Sequence, residues 1–114
     1  MVSLNKQYKV EKDDNFLLFR IENKIIDDSL FLNIKKNFKS NLKTVFDLEK
    51  VETINSRLFV EYLSFEKVSL FGAKNEILAY LSIVLKKNFP NLYQKEKDFK
   101  NDSNMLIKRN FKLA

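Results

Sequence analysis

The sequence predicts an α/β fold: one small domain with a mixed β-sheet, an antiparallel first hairpin and largely parallel strands after it. Strand-like and helix-like stretches alternate along the 114 residues, and a strand that returns to the same sheet after a helix lies parallel to the strand before it. Hydrophobic residues make up 45% of the chain, with 11 Phe but one Gly and one Pro, a composition typical of a folded domain. A chain of this length buries roughly two-thirds of its unfolded surface around one core. We therefore expect residues 1–114 to form a single domain.

Each element is predicted from apolar spacing and from the turn or capping residues beside it. Residues 8–21 are predicted to form an aromatic-rich hairpin whose turn is Asp13-Asp14-Asn15. Asp27, Asp28 and Ser29 offer N-cap oxygens for the first helix. The later elements are predicted as a helix over 29–39, a strand over 43–48, a helix from about 56, a strand over 67–71 and a helix over 74–88.

The only glycine and the only proline mark further boundaries. Gly72 stands between a predicted strand and a predicted helix, which predicts a turn with a positive φ or a close backbone approach. Pro90 marks the end of that helix, and residues 92–93 are predicted to return to the sheet edge. Within the extension 91–114, a short helix capped by residues 102–103 and a terminal strand both fit.

Composition excludes several kinds of chemistry. The chain has no Cys and no His, so thiolate nucleophiles, thiolate metal sites and the commonest acid–base side chain near neutral pH are missing. One glycine cannot build a phosphate-binding loop or a dinucleotide fingerprint. The start of the chain lacks the apolar stretch of a secretory signal, and no run reaches the ~18 apolar residues that span a bilayer. We therefore expect a cytoplasmic protein that is not an enzyme and that has no cofactor and no metal site.

The charge balance leaves two interpretations open. Net charge is +6, from 21 Lys and Arg against 15 Asp and Glu, and such an excess can indicate nucleic acid as a partner. Only three of the basic residues are Arg, whereas Arg forks dominate specific phosphate and base recognition. We therefore favour a solvated lysine surface and do not take nucleic acid as the first expectation. The alternative is a basic nucleic-acid-binding domain that uses Lys35, Lys36, Lys39, Lys43, Lys86 and Lys87.

The most informative stretch is residues 44–63, where an apolar strand leads through a polar corner into an amphipathic segment. Residues 45–57, VFDLEKVETINSR, resemble the strand-then-loop pattern of the STAS family, the fold of anti-sigma-factor antagonists and of the cytoplasmic tails of sulfate transporters. That family pattern is an apolar residue, Asp-Leu, a spaced Val and then Ile-Asp-Ser-Ser/Thr-Gly. Weaker resemblances lie at residues 22–27 and 68–72, and by order of elements the resemblance covers residues 8–89. It implies a STAS-like α/β fold.

Two departures from the family pattern bear on function. The resemblance implies a phosphorylated Ser or Thr just before the Gly, but Arg57 and Leu58 stand at these two positions. Asn55 replaces the usual Asp, while Ser56 matches the preceding Ser. A switch by phosphorylation is therefore not expected at the acceptor position, where Arg57 offers a partner a fixed cation with up to five donors.

The resemblance implies a regulatory or scaffold module that binds another protein. The partner is either an anti-sigma factor or related switch kinase, or the ATPase of an ABC complex that transports phospholipids. The predicted partner-binding residues are Asp27, Asn55, Ser56, Arg57 and Glu61.

Ordinary structural explanations exist for some of these residues. Ser56 fits a helix N-cap as well as a contact residue, and Arg57 fits a solvated side chain near a helix start. The paired carboxylates at 13–14 and 27–28 are better explained as turns and caps than as a general acid–base pair.

Overall fold

Eight strands and four helices occupy the residues that the computed structural model describes, which are 7–64, 68–86, 90–101 and 105–107. The strands are β1 (Tyr8–Lys12), β2 (Phe16–Ile21), β3 (Ile25–Asp27), β4 (Lys43–Asp47), β5 (Thr53–Asn55), β6 (Val68–Phe71), β7 (Asn91–Tyr93) and β8 (Met105–Ile107). The helices are α1 (Asp28–Lys35), α2 (Arg57–Leu63), α3 (Asn75–Leu85) and α4 (Glu96–Lys100).

Six of the strands form one mixed sheet in the order β1-β2-β4-β6-β7-β8. β1 and β2 pair antiparallel as the predicted hairpin, with Tyr8 opposite Ile21. β2, β4, β6 and β7 are parallel neighbours, and β8 lies antiparallel to β7. The predicted fold class, a mixed sheet with an antiparallel first hairpin and largely parallel strands, is confirmed.

The helices cover the two faces of this sheet unequally. Because the parallel strands follow one another in space as they do in sequence, α1, α2 and α3 cross over on one face, and their buried side chains share one core with the strands. Phe46 of β4 is fully buried in that core, with its ring centroid 5.1 Å from that of Phe59 and 5.7 Å from that of Phe19. The other face has a smaller cluster, against which Phe99 of α4 packs: Leu18, Val45, Phe71 and Tyr93.

Two strands of three residues each, β3 and β5, form a separate parallel pair. The sequence patterns do not predict these strands, because three residues are too few to establish a period of two. They extend the chain beyond the ends of β2 and β4 before α1 and α2 begin. This pair therefore fixes where the two helices start.

The helix α1 ends at Lys35, four residues earlier than predicted. The N–H groups of Lys36, Asn37 and Phe38 donate to carbonyl oxygens three residues before them, and bonds of this kind close a helix. Phe38 then stacks on Tyr62 of α2, with ring centroids 4.7 Å apart. Packing of this ring against the core accounts for the early end.

The helix α3 lies within the predicted range and ends at Leu85. Its apolar residues face the core only in part, since Ile77 and Leu81 are buried but Val84 is 37% exposed. Lys86 ends the helix, because its φ is 56° and a residue with a positive φ cannot continue a right-handed α-helix. The end therefore comes before Pro90.

The last described residues decide between two alternatives that the sequence left open. Residues 105–107 form a strand, β8, instead of lying in a helix, while the predicted helix caps at 102–103 lie outside the described residues. β8 places β7 inside the sheet, so the prediction that residues 92–93 lie at the edge is wrong.

Gly72 satisfies both conditions predicted for it. Its φ is +78°, and a Cβ added there would overlap Glu49 Cγ and lie 3.3 Å from the Glu49 backbone nitrogen. Its N–H donates to the Gln94 carbonyl at 3.2 Å. A side chain at this position is therefore opposed both by the backbone conformation and by the packing.

Among the described helices, none combines the length and the apolar character needed to cross a membrane.

Candidate partner-binding site

The candidate site is built on the elbow, which we define as residues 55–57 between β5 and α2. Ser56 is the N-cap of α2, with an extended backbone (φ −148°, ψ 112°). Its Oγ accepts a hydrogen bond from the Phe59 N–H at 3.0 Å and donates one to Asp28 Oδ1 at 2.6 Å. The prediction that Ser56 caps the second helix is confirmed, and its side chain is 4% exposed.

Asp27 lies beside the elbow because β3 and β5 pair in parallel. The register sets Asp27 opposite Asn55. Asp27 is itself the N-cap of α1, and its Oδ1 accepts a hydrogen bond from the Leu30 N–H at 2.8 Å. The starts of α1 and α2 therefore stand side by side, joined by the bond from Ser56 to Asp28.

Besides Asp27, three of the predicted site residues are exposed around this frame: Asn55, Arg57 and Glu61. Arg57 and Glu61 are four residues apart on α2 and so lie on the same helix face. Within the described parts of the chain, no hydrogen bond or ion pair engages the Arg57 guanidinium. The structure thus brings all five predicted residues together, four on the surface and Ser56 beneath them.

Two exposed apolar side chains border these residues, and the sequence reasoning missed both. Ile25 is 47% exposed and Leu58 is 37% exposed. Ile25 pairs with Thr53 in the β3–β5 register, while the next pair, Ile26 with Ile54, is buried. Side chains along a strand point alternately toward the core and toward solvent, and this alternation is the signal that identifies Ile25 as an outward residue.

We call the exposed surface formed by Ile25, Asp27, Asn55, Arg57, Leu58 and Glu61 the elbow surface. It carries one cation, two carboxylates, one amide and two apolar side chains. The side chains are held on strand ends and on the first turns of helices, which are more rigid supports than loops. Such a mixed surface suits contact with another protein.

A second polar cluster lies at one side of the sheet, centred on Arg20 of β2. Its guanidinium is ion-paired with three carboxylates: Glu11, Asp47 at 3.0 Å and Glu96 at 2.7 Å. The hydrogen bond from Arg20 lowers the pKa of Glu96 from 4.5 to about 2, although burial works in the opposite direction. Asp47, part of the stretch that resembles the STAS pattern, is 7% exposed and thus serves this cluster and not the elbow surface.

The paired carboxylates have structural roles. Asp13 Oδ1 accepts a hydrogen bond from the Asn15 N–H at 3.4 Å within the hairpin turn, and Asp27 and Asp28 bond at the helix starts. Asp13 is thus confirmed as a turn residue and Asp27 as a helix cap, while Asp28 accepts the bond from the Ser56 cap. Among the described residues, no group of three or more acidic side chains is placed to hold a metal ion.

Comparison with models of protein families found no match, and neither did the searches of curated proteins and of solved structures. The STAS resemblance therefore stays a prediction that depends on the residues of the chain itself.

Proposed function

We propose that the chain is a non-enzymatic, STAS-like module that binds another protein through the elbow surface. The observation that carries this proposal is the arrangement at Ser56. Two hydrogen bonds hold this buried side chain, and its neighbours Asn55 and Arg57 are exposed on either side. Two polar contact residues are thereby presented to a partner by a fixed frame.

The chemistry of the elbow surface favours a protein over a polyanion as the partner. Arg57 is a residue type enriched among the anchors of protein interfaces, and Leu58 beside it provides apolar area. Asp27 and Glu61 would repel a row of phosphates but can pair with cations on a protein. Complementary charges of both signs fix the orientation of two proteins.

We do not expect phosphorylation to regulate the elbow. Arg57 occupies the position that resembles the acceptor site. The Ser56 hydroxyl is enclosed and already makes two hydrogen bonds, so a kinase has no access to it in the folded protein. Incubation with a cognate kinase should add no phosphate at Ser56, and a modified Ser56 would contradict the proposal.

The resemblance implies two candidate partners, which the same experiment separates. One is an anti-sigma factor or a related switch kinase. The other is the ATPase of an ABC complex that transports phospholipids, in which the chain would be the STAS subunit. Co-purification with the tagged chain should recover a protein of one of these two classes.

The test of the site is the substitution Arg57→Glu, measured by titration calorimetry with the recovered partner. We expect binding to be abolished while the thermal midpoint stays nearly unchanged, because the exposed Arg57 side chain makes no hydrogen bond or ion pair with a described residue. The matched control is Lys97→Glu, the same charge change at an exposed position on α4, which should leave binding intact. Loss of folding in Arg57→Glu, or equal loss of binding in both variants, would overturn the proposal.

A further inference from the structure

The fold gathers exposed lysines at the end of the parallel strands that lies opposite to the elbow. Because helices return antiparallel to the strands they connect, the ends of α1 and α3 lie at the edge where the parallel strands begin. The end of β1 lies there too, since β1 runs against β2. We call this the basic edge, formed by residues 12–16, 35–43 and 86. Its exposed lysines are Lys12, Lys35, Lys36, Lys39, Lys43 and Lys86, while Lys87 lies outside the described residues.

Lysines outnumber carboxylates at the basic edge. The basic edge contributes two carboxylates, Asp13 and Asp14, and none of its six ammonium groups forms an ion pair with a described residue. At the opposite end of the strands, cationic and anionic side chains occur together, and Lys50 is paired with Glu22 at 2.6 Å. Composition alone cannot reveal this distribution, which is a property of the topology.

The exposed side chains of the segment 35–43 are all polar or cationic. Its two apolar side chains, Phe38 and Leu42, are half-buried and pack against the core. The remaining residues are Lys, Asn and Ser, all exposed. These are the side chains that contact phosphate oxygens in complexes with nucleic acids.

The hairpin turn and this segment form one continuous surface. The Lys43 N–H donates to the Asn15 carbonyl at 3.1 Å, so the turn and the start of β4 are joined directly. A shallow hollow between them is lined by Asp14, Asn15, Asn41, Leu42 and Lys43. Lys12 and Lys39 lie in the segments on either side of it.

We propose that the basic edge binds the phosphate backbone of duplex nucleic acid without reading its sequence. Lysines act as point charges toward phosphate, whereas base recognition relies on Arg forks, and the described residues of this edge include no Arg. Single strands are held by stacking on exposed aromatic rings, whereas the two rings among residues 12–16 and 35–43, Phe16 and Phe38, are half-buried and pack against other rings. An anionic membrane surface is less suited, because the apolar side chains of these residues, Phe16, Phe38 and Leu42, pack half-buried against the two cores instead of projecting for insertion.

The test is fluorescence anisotropy with a labelled DNA duplex of random sequence, at salt concentrations from 50 to 200 mM. We expect the logarithm of the binding constant to fall with the logarithm of salt at a slope of about −3 to −4, which corresponds to roughly four neutralised phosphates. The variant with Lys35, Lys36, Lys39 and Lys43 each changed to Gln should lose about tenfold or more in affinity at the lowest salt and show a flatter slope.

The matched control changes four exposed lysines elsewhere to Gln: Lys9, Lys24, Lys95 and Lys97. Its net charge equals that of the first variant, so retention of binding by the control supports a local surface. Equal losses in both variants, or no duplex binding at 50 mM salt, would overturn the proposal. So would binding to phosphatidylserine vesicles without binding to the duplex.

The result is independent of the elbow proposal, because the two surfaces lie at opposite ends of the strands. Loss of binding to the protein partner in Arg57→Glu would support the elbow proposal whether or not the chain binds the duplex.

Discussion

The Ser56 hydroxyl is at once a hydrogen-bond acceptor and a donor. As acceptor it satisfies the Phe59 N–H, one of the four N–H groups that a helix start leaves without partners. As donor it bonds the Asp28 carboxylate of the neighbouring helix. One small side chain therefore both starts α2 and joins it to α1.

Substitution of Ser56 tests this double role. We expect Ser56→Ala to lower the free energy of unfolding by about 1–2 kcal/mol, because the cap is lost and the Asp28 carboxylate loses its donor. Urea denaturation measures the change, with an unaltered m-value as the sign that the fold is retained.

The control for this substitution is Ser82→Ala on α3. The exposed Ser82 hydroxyl bonds only a carbonyl of its own helix, that of Ala79, at 2.7 Å, and Ala is the better helix former. We expect a change within about 0.5 kcal/mol. Equal destabilisation by the two substitutions would mean that Ser56 does not hold the two helix starts together.

At the level of elements, α4 is the helix most dependent on others. It has five residues, too few for a helix to be stable alone in water. Phe99 anchors it on the sheet, with its ring centroid 5.0 Å from that of Phe16 and 5.5 Å from that of Tyr93. Glu96 adds the ion pair with Arg20.

Removing the anchor should detach α4 without unfolding the sheet. We expect Phe99→Ala to cost roughly 1–3 kcal/mol, since a half-buried ring is lost, and to speed hydrogen exchange of the amides of residues 96–101. Mass spectrometry after exchange measures this, with Lys97→Ala on the exposed side of α4 as the control. If exchange rose equally in the core strands, α4 would have to be part of the main folding unit.

The elements that the sequence predicts well are those with local determinants. The hairpin has its own turn residues, and α2 has Ser56 as a cap. β3, β5 and α4 are short, so their existence depends on pairing and packing with distant residues. The same holds for Arg20, because the register of the sheet brings Glu11 and Asp47 to it and the packing of α4 on the sheet brings Glu96.

The residues of the candidate site differ in how far the sequence alone predicts their location. Asn55, Ser56 and Arg57 are contiguous, so their common location follows from sequence. Asp27 is associated with them in the sequence only through the resemblance, and the β3–β5 pairing gives the physical reason. Ile25 is missed because its exposure depends on a strand that the pattern does not reveal.

At the scale of the whole molecule, the order of the strands explains why both proposals concern surfaces. In open α/β sheets, ligands bind in the crevice where the strand order reverses. The parallel strands described here follow a single direction, β2-β4-β6-β7, and α1, α2 and α3 share one face. Without a reversal there is no crevice of this kind among the described strands, so binding is expected at the two ends of the strands, one with mixed charge and one basic.

The Arg20 cluster also makes the stability of the whole fold depend on pH. It joins β1, β2, β4 and α4 through Glu11, Asp47 and Glu96, and Lys100 adds a second cation beside Glu96 at 3.0 Å. The pKa of Glu96 is lowered in the folded state to about 2, so the unfolded chain takes up its proton first as the pH falls. The stability that the Glu96 carboxylate provides is therefore complete above about pH 4.5 and is lost as the pH falls toward 2.

Comparison of the wild-type chain with Glu96→Gln isolates this contribution, because every other carboxylate titrates in both proteins. At pH 7 we expect the variant to be less stable by about 1 kcal/mol, the value for a partly exposed ion pair that belongs to a network. This difference should shrink steadily between pH 5 and pH 2.5, because over this range the unfolded wild-type chain takes up a proton at Glu96 before the folded chain does, whereas the glutamine of the variant takes up none. Urea denaturation at each pH measures the difference, and a gap that stays constant down to pH 2.5 would show that Glu96 is not held in its charged form by Arg20.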